Sequence, residues 1–379
     1  EDVALVRRQP LAGAPPDACR RFLTRMLTGD GELVWRLPSI VGLAEGLRGR
    51  SEFKTKGADD PLAALLGGEE NSAAAGALDD FFRRAAGLAA DTQVPTRQRV
   101  SAVALLGYTD FGRAGALLGE LLNARQAPEI QLQAVRVLER FGDARGAELL
   151  IQQQNWTRYT PQIREAVVST LVSKPQMIEV LFAAIQRGAI KAPEISSLRR
   201  TRLLKHTDPA IRKEAEAIFR DLEGGDRMQV YRTYRDLLKN PASATDGAAV
   251  FVRACSACHT YGGAGGKVGP DLSGVRSQPA DALLLHILVP NFEVAPAYQA
   301  QSVTTQDGRT VSGWLAAETE SSLTLRTASG SDETVLRNHI ASLAASGLSL
   351  MPDGLEQTMT KDEMMNLIAY MKAAPGTAQ

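Results

Sequence analysis

Residues 246–259 read DGAAVFVRACSACH, and the last five of them, Cys255-Ser-Ala-Cys258-His259, decide how the C-terminal third of the chain is built. Two cysteines two residues apart, with a histidine directly after the second, is the spacing of c-type haem attachment. Chemistry sets that spacing. Two thiols add across the two vinyl groups of one porphyrin, and the adjacent imidazole then falls beneath the iron as proximal ligand. A structural zinc site would need two further Cys or His nearby, and none follows closely. A thioredoxin-like redox pair would need a surrounding βαβ unit, which the flanking pattern does not offer. One covalent haem c on Cys255, Cys258 and His259 is expected.

The flanks are short elements. Asp246–Cys255 reads as a helix capped by Thr245 or Asp246, and a Gly-rich loop follows at Gly262–Lys267. That loop only superficially resembles a phosphate-binding sequence, which would need Gly at 261 and Ser or Thr at 268, where Tyr261 and Val268 stand; a flexible loop around the haem is expected. A helix is predicted over Ala280–Val289. Gln299–Thr305, Thr310–Glu318, Ser322–Thr327 and Glu333–Arg337 alternate apolar and polar residues between turn signals, which predicts a small antiparallel sheet inserted at about 297–345. The chain closes with a helix over Thr360–Ala373, opened by a Thr360/Glu363 capping box.

With these residues in place, the stretch resembles class I cytochromes c: Gly247 and Phe251 on the first helix, then the Cys255–His259 motif, then Gly269-Pro-Asp-Leu272, then Leu367 and Tyr370 on the last helix. The resemblance implies that the Pro270 carbonyl accepts from the proximal imidazole, that Leu272 belongs to the haem-binding set, and that Gly247 and Phe251 cross against Leu367 and Tyr370. It also implies the second axial ligand. Met351, in Ser349-Leu-Met-Pro-Asp-Gly, lies just before the final helix, where class I cytochromes place their distal thioether. The iron would then be held by His259 and Met351. His286 and His339 are the alternatives; Met359, Met364, Met365 and Met371 read as packing residues, and His206 as a surface residue. His259 and Met351 are 92 positions apart, more than a minimal class I cytochrome needs, and the sheet accounts for the excess.

A closer resemblance covers roughly residues 246–372. Val268-Gly-Pro-Asp-Leu, Ile287-Leu-Val-Pro-Asn, Gly308-Arg-Thr-Val-Ser-Gly and Ser349-Leu-Met-Pro-Asp-Gly-Leu look like the haem-binding domain common in planctomycetes and related bacteria. That family commonly follows HEAT-like repeats, often behind a β-propeller resembling quinoprotein sugar or alcohol dehydrogenases. No propeller pattern is present here.

Upstream, the pattern is helix after helix. Pro95, Pro128, Pro161 and Pro193 each open a similar segment, at spacings of 33, 33 and 32 residues, and a proline at the first helical turn needs no donor. A second helix follows a short turn, as in Gly142-Asp-Ala-Arg-Gly before Ala147–Gln153. A single helix pair cannot bury its own apolar face, so this period predicts a stacked α-solenoid. The segments resemble short HEAT-like repeats, with residues 1–90 helical but out of phase. Lys239–Thr245 reads as the linker that ends the array. The predicted fold is therefore mainly α: a HEAT-like helical repeat domain over 1–240, then a monohaem cytochrome c domain over 246–374 with a small β insertion.

Composition bounds the rest. Of the 379 residues, 44% are hydrophobic, 23% charged and 5% aromatic, ordinary for a folded chain rich in helix. From Ala244 onward eight Lys and Arg stand against thirteen Asp and Glu, a net of −5, and the remainder carries +5. So mild a balance argues against a nucleic-acid binder, and the basic run Leu198–Lys205 reads as a solvated helix face. No run of eighteen apolar residues occurs, so no transmembrane segment is expected. The chain opens at Glu1-Asp2 without a basic start and apolar stretch, which points to a processed or partial product. Cys19, apart from the motif, reads as a small buried helix residue.

With both axial positions filled, the expected role is extracytoplasmic, single-electron transfer to and from a redox partner protein (a dehydrogenase, another cytochrome or a membrane redox complex). The chain alone is then a carrier rather than an enzyme, with the repeats as docking scaffold. Two alternatives stand beside it: the cytochrome portion of a periplasmic quinoprotein-like dehydrogenase, and a haem-bearing structural subunit of a large redox assembly.

Overall fold

Several helices of this chain start at or directly after a proline. The computed structural model describes residues 14–29, 33–48, 50, 61–67 and 72–373; the chain start at Glu1-Asp2, the first thirteen residues of the expected repeat region and Ala374 lie outside them. Seventeen α-helices occur among the described residues. The chain divides into two compact units, Glu1–Leu150 and Ile151–Gln379. The change in sequence pattern falls elsewhere, at 240–246, and residues on both sides of it share the second unit.

The first unit holds α1 (Pro16–Thr28), α2 (Leu33–Leu47), α3 (Pro61–Leu66), α4 (Ser72–Ala90), α5 (Thr96–Leu106), α6 (Phe111–Leu121) and α7 (Pro128–Phe141), with α8 (Ala144–Ile151) at its end. Pro95 is the N-cap of α5 and Pro128 is the first residue of α7. α7 ends on Gly142 at φ 61°, whose N–H closes on the Leu138 carbonyl, a left-handed stop that glycine reaches without steric cost. α8 starts three residues before the expected Ala147, because the Asp143 carboxylate accepts from the Gly146 N–H at 2.9 Å and caps it there. Leu118, Ile130, Ala134 and Leu138 are fully buried, and each large side chain so placed contributes about 1.5–3 kcal/mol. Cys19 is fully buried on α1, as expected.

The second unit begins with α9 (Gln153–Trp156), α10 (Pro161–Leu171), α11 (Pro175–Gln186), α12 (Ser197–Leu204), α13 (Pro209–Gly224) and α14 (Asp226–Arg235). Pro161 opens α10 as expected. Pro193 does not open an α-helix. It sits in a 3₁₀ turn, Ala192–Glu194, and α12 starts only at Ser197. Glu194 is turned back on itself: its carboxylate accepts from the Lys191 N–H at 2.7 Å and from the buried Arg164 at 3.3 Å. The basic run on α12 is not uniformly solvated either, since Arg200 is buried while Leu198 is 68% exposed.

Beyond the linker come α15 (Ala244–Ala254), α16 (Ala280–Leu288) and α17 (Lys361–Lys372). α15 starts earlier than its sequence suggests. Ser243, not Thr245 or Asp246, is the cap, its hydroxyl accepting from the Asp246 N–H at 3.2 Å. α15 and α17 cross at Gly247, where a Cβ would overlap the Asn366 carbonyl and the Tyr370 side chain. Phe251, Tyr261 and Tyr370 close the crossing as three rings with centroids 5.0–5.6 Å apart. The core beneath them is Val250, Phe251, Leu284, Leu288, Met364, Leu367 and Ile368, with Tyr231 of α14 inside the same cluster and Leu237 and Leu238 packed on it. Gly247→Ala is expected to push the two helices apart and cost about 1–3 kcal/mol, read as a lower midpoint in denaturant melts followed by circular dichroism.

The loop after His259 is a hairpin of two short strands, β1 (Thr260–Tyr261) and β2 (Ala264–Gly265), rather than a free loop. Gly262, Gly263 and Gly265 take positive φ there, and Gly266 N–H is held by the Ser256 carbonyl at 2.8 Å. The larger sheet contains β3 (Gln299–Thr305), β4 (Thr310–Glu318), β5 (Ser322–Arg326), β6 (Asp332–Leu336) and β7 (Ile340–Ser349), in the antiparallel order β6-β5-β4-β3-β7. The expected sheet had four strands; the fifth, β7, pairs with β3 and carries the insertion to Ser349. Val303, Val311, Leu323, Leu325, Val335, Ile340 and Leu343 form the sheet's own buried face.

Candidate functional site

The C-terminal turn of α15 delivers the motif. Cys255 is its C-cap, and the Cys258 and His259 N–H groups both close on the Cys255 carbonyl, at 3.1 and 2.9 Å. One tight turn therefore presents both sulfurs and the imidazole. His259 Nδ1 lies 2.9 Å from the Pro270 carbonyl oxygen. A carbonyl can only accept, so Nδ1 carries the proton and Nε2 keeps its lone pair free for a metal. Gly269 lies directly under the ring, where a Cβ would collide with the His259 imidazole, and its N–H is tied to the Cys258 carbonyl at 2.7 Å. The Leu272 N–H closes on the Thr260 carbonyl at 2.8 Å.

Cys255 is half-buried and Cys258 exposed. Burial, with Cys258 beside it, pushes the Cys255 thiol up to about 11. Among the described residues no group of three or more His, Cys, Asp and Glu converges, so Cys255, Cys258 and His259 find no zinc partners there.

Met351 and Leu272 are half-buried, and together with Cys255 they pack against the core of α15, α16 and α17. The Met351 N–H donates to Ser349 Oγ at 3.0 Å. Met364, Met365 and Met371 are buried in that core, while Met359 is half-buried against it. His286 is half-exposed, with Nε2 3.7 Å from Glu293. His339 is exposed in a 3₁₀ turn, and His206 Nδ1 accepts from the Asp208 N–H. A c-type haem fits this donor set: two thiols and an imidazole on one turn, a fixed tautomer, a glycine that lets the ring lie flat, and a thioether on the same core.

Three further residues shape the site: Asn291, the last residue of the Ile287-Leu-Val-Pro-Asn segment, and Arg227 and Glu356, which carry no sequence signal of their own. Asn291 accepts from the Ser349 N–H at 2.9 Å and donates to Asp353 at 3.2 Å. Arg227 binds the buried Glu356 carboxylate with two hydrogen bonds, of 2.8 and 2.7 Å. These bonds hold the Glu356 carboxyl below its ordinary value of 4.5, against burial, which pushes it up. A carboxyl whose folded pKa is depressed stabilises fully above its unfolded value, and the contribution is lost as pH falls through the folded one. The melting-temperature gap between wild type and Glu356→Gln is therefore expected to be widest near neutrality and to close as pH drops below 4.5. A gap independent of pH would contradict this.

Residues 242–315 match the family model described as cytochrome C oxidase, cbb3-type, subunit III. No curated protein matches the chain. The matched stretch spans α15, the Cys255–His259 turn, α16 and the first strands of the sheet, and it supports a c-type haem-binding domain of the cytochrome c kind, which suggests electron transfer.

Proposed function

We propose that residues 246–374 form a class I-like monohaem cytochrome c module of the planctomycete type, which passes single electrons outside the cytoplasm. Residues 1–240 are its HEAT-like α-solenoid and docking scaffold. The observation that carries this reading is the His259 Nδ1–Pro270 contact at 2.9 Å, one turn from two free thiols. When bound, haem supplies a one-electron couple. Cys255 and Cys258 would tether it, and His259 Nε2, with the ring orientation set by Pro270, and the Met351 thioether would ligate the iron. A thioether in place of a second histidine raises the potential. With His259 and Met351 both bound to it, the iron would exclude small ligands, and the chain would act as a carrier that passes electrons to a redox partner protein.

No helix among the described residues is long and apolar enough to cross a membrane. Haem c attachment takes place on the outer side of the cytoplasmic membrane, so an extracytoplasmic mature protein is the proposal. In spheroplasts of the native host, external protease should remove the haem-stained band; full protection of that band would sink the location. Function itself is tested by visible spectra of the native protein with its copurified partners. A reduced α-band that appears on adding a donor, and disappears with an acceptor protein, is the expected result. Absence of any c-type band in the native protein would overturn the reading.

A further inference from the structure

Two arginines from the helices upstream of the linker grip one short loop of the cytochrome module. Arg200, buried on α12, donates Nη2 to the Phe292 carbonyl at 2.6 Å, with its guanidinium 5.6 Å from the Phe292 ring. Arg227, at the start of α14, donates Nε and Nη2 to the Leu288 carbonyl at 2.9 and 2.6 Å, and Nη1 and Nη2 to Glu356. The loop between those carbonyls carries Asn291. Its side chain holds Ser349 N–H and the Asp353 carboxylate, two residues to either side of Met351. Asp353 also lies 4.0 Å from Arg227. Met351 thus stands in the middle of a strap whose side-chain anchors run to Asn291 and Arg227.

We propose that Arg227, acting with Asn291, is a positioning residue for the distal haem ligand: the last helices of the repeat region hold the strap that keeps the Met351 sulfur on the iron. This rests on Met351 being that ligand. A thioether is neutral and binds iron weakly, so its occupancy depends on how little order the strap must gain on ligation. The strap is tied at its start by the pairing of Ser349 with Gln299 on β3, and beyond that point its side-chain anchors are Asn291 and Arg227. Its turn passes through Gly354 at φ 88°, and Met351 itself is only half-buried. Bidentate bonds from a guanidinium to a buried carboxylate are among the strongest anchors available. Their effect on ligation is separable from their effect on global stability, because a loosened strap can release sulfur while the core of α15 and α17 stays folded.

The test uses the full chain with its covalent haem, cyanide as the probe of the ferric iron, and the weak far-red absorption band of sulfur ligation. Arg227→Gln and Asn291→Ala are each expected to weaken that band and speed cyanide binding by about tenfold, the scale of one lost charge-assisted hydrogen bond. The haem should remain covalent on denaturing gels. Arg227→Lys, which keeps the charge and a donor, should recover part of the loss. In a Met351→Ala background, Arg227→Gln should add nothing. Wild-type cyanide kinetics and an intact band in Arg227→Gln, even with a lowered melting temperature, would overturn the positioning role and leave Met351 standing. If Arg227→Gln does not fold, unchanged kinetics in Asn291→Ala overturns it equally. A wild-type ferric spectrum without the band overturns the Met351 assignment, and the positioning role with it.

Discussion

Alanine at both Cys255 and Cys258 is expected to leave the polypeptide with no covalent haem at all. The two sulfurs sit on one turn at the end of α15, pinned by the Cys258 N–H to Cys255 carbonyl bond of 3.1 Å, and no other described cysteine can substitute, since Cys19 is fully buried on α1. Haem peroxidase staining of denaturing gels should be lost entirely in the double variant. Acid-acetone should then extract any haem that remains by His259 ligation alone, whereas it should extract none from the wild type. The loss extends to stability, since a group bound only by the folded state stabilises it by mass action and a tether makes that binding effectively permanent. A stain that survives the double substitution would refute the attachment.

Met351→Ala is the second large effect, and it reports on mechanism rather than cofactor identity. Removing the thioether should abolish the far-red band of the ferric protein, lower the potential and open the iron to carbon monoxide and cyanide, with the haem still covalent. The buried methionines set the contrast. Met364 is fully buried on α17, so Met364→Ala should cost about 2–5 kcal/mol of stability and leave the band in place. Met359, half-buried against the same core, is the sharpest control. If Met351→Ala keeps the band and Met359→Ala removes it, the distal ligand is Met359. If the wild type already binds carbon monoxide, an open site replaces the carrier.

Local chemistry was legible from the residues alone. The Cys255–His259 motif is five consecutive residues, and the family match that includes it supports a c-type haem-binding domain. The Thr360–Glu363 capping box forms as read, with Thr360 Oγ1 accepting from Glu363 N–H at 3.1 Å and Glu363 returning the bond at 2.8 Å. β3 and β4 have the bounds their alternation predicts, because a two-residue period needs only one buried face to be visible. Each of these signals lies within a few residues of the structure it specifies.

Tertiary structure decided what no local window contains. Ala341, Ala344 and Ala345 are weak strand formers, yet β7 forms, with Ala344 and Ala345 paired to Ser302 and Gln301 on the edge that β3 offers. Pro193 reads like its three predecessors, but Glu194 is captured by Arg164, thirty positions earlier, and the helix gives way to a 3₁₀ turn. The proline whose carbonyl orients His259 stands eleven residues away in a motif, while the arginine that anchors the strap of Met351 reaches Glu356 across 129 positions. Periodicity and caps are properties of one segment, whereas a guanidinium closing on a distant carboxylate exists only once two segments have been brought together by the core between them.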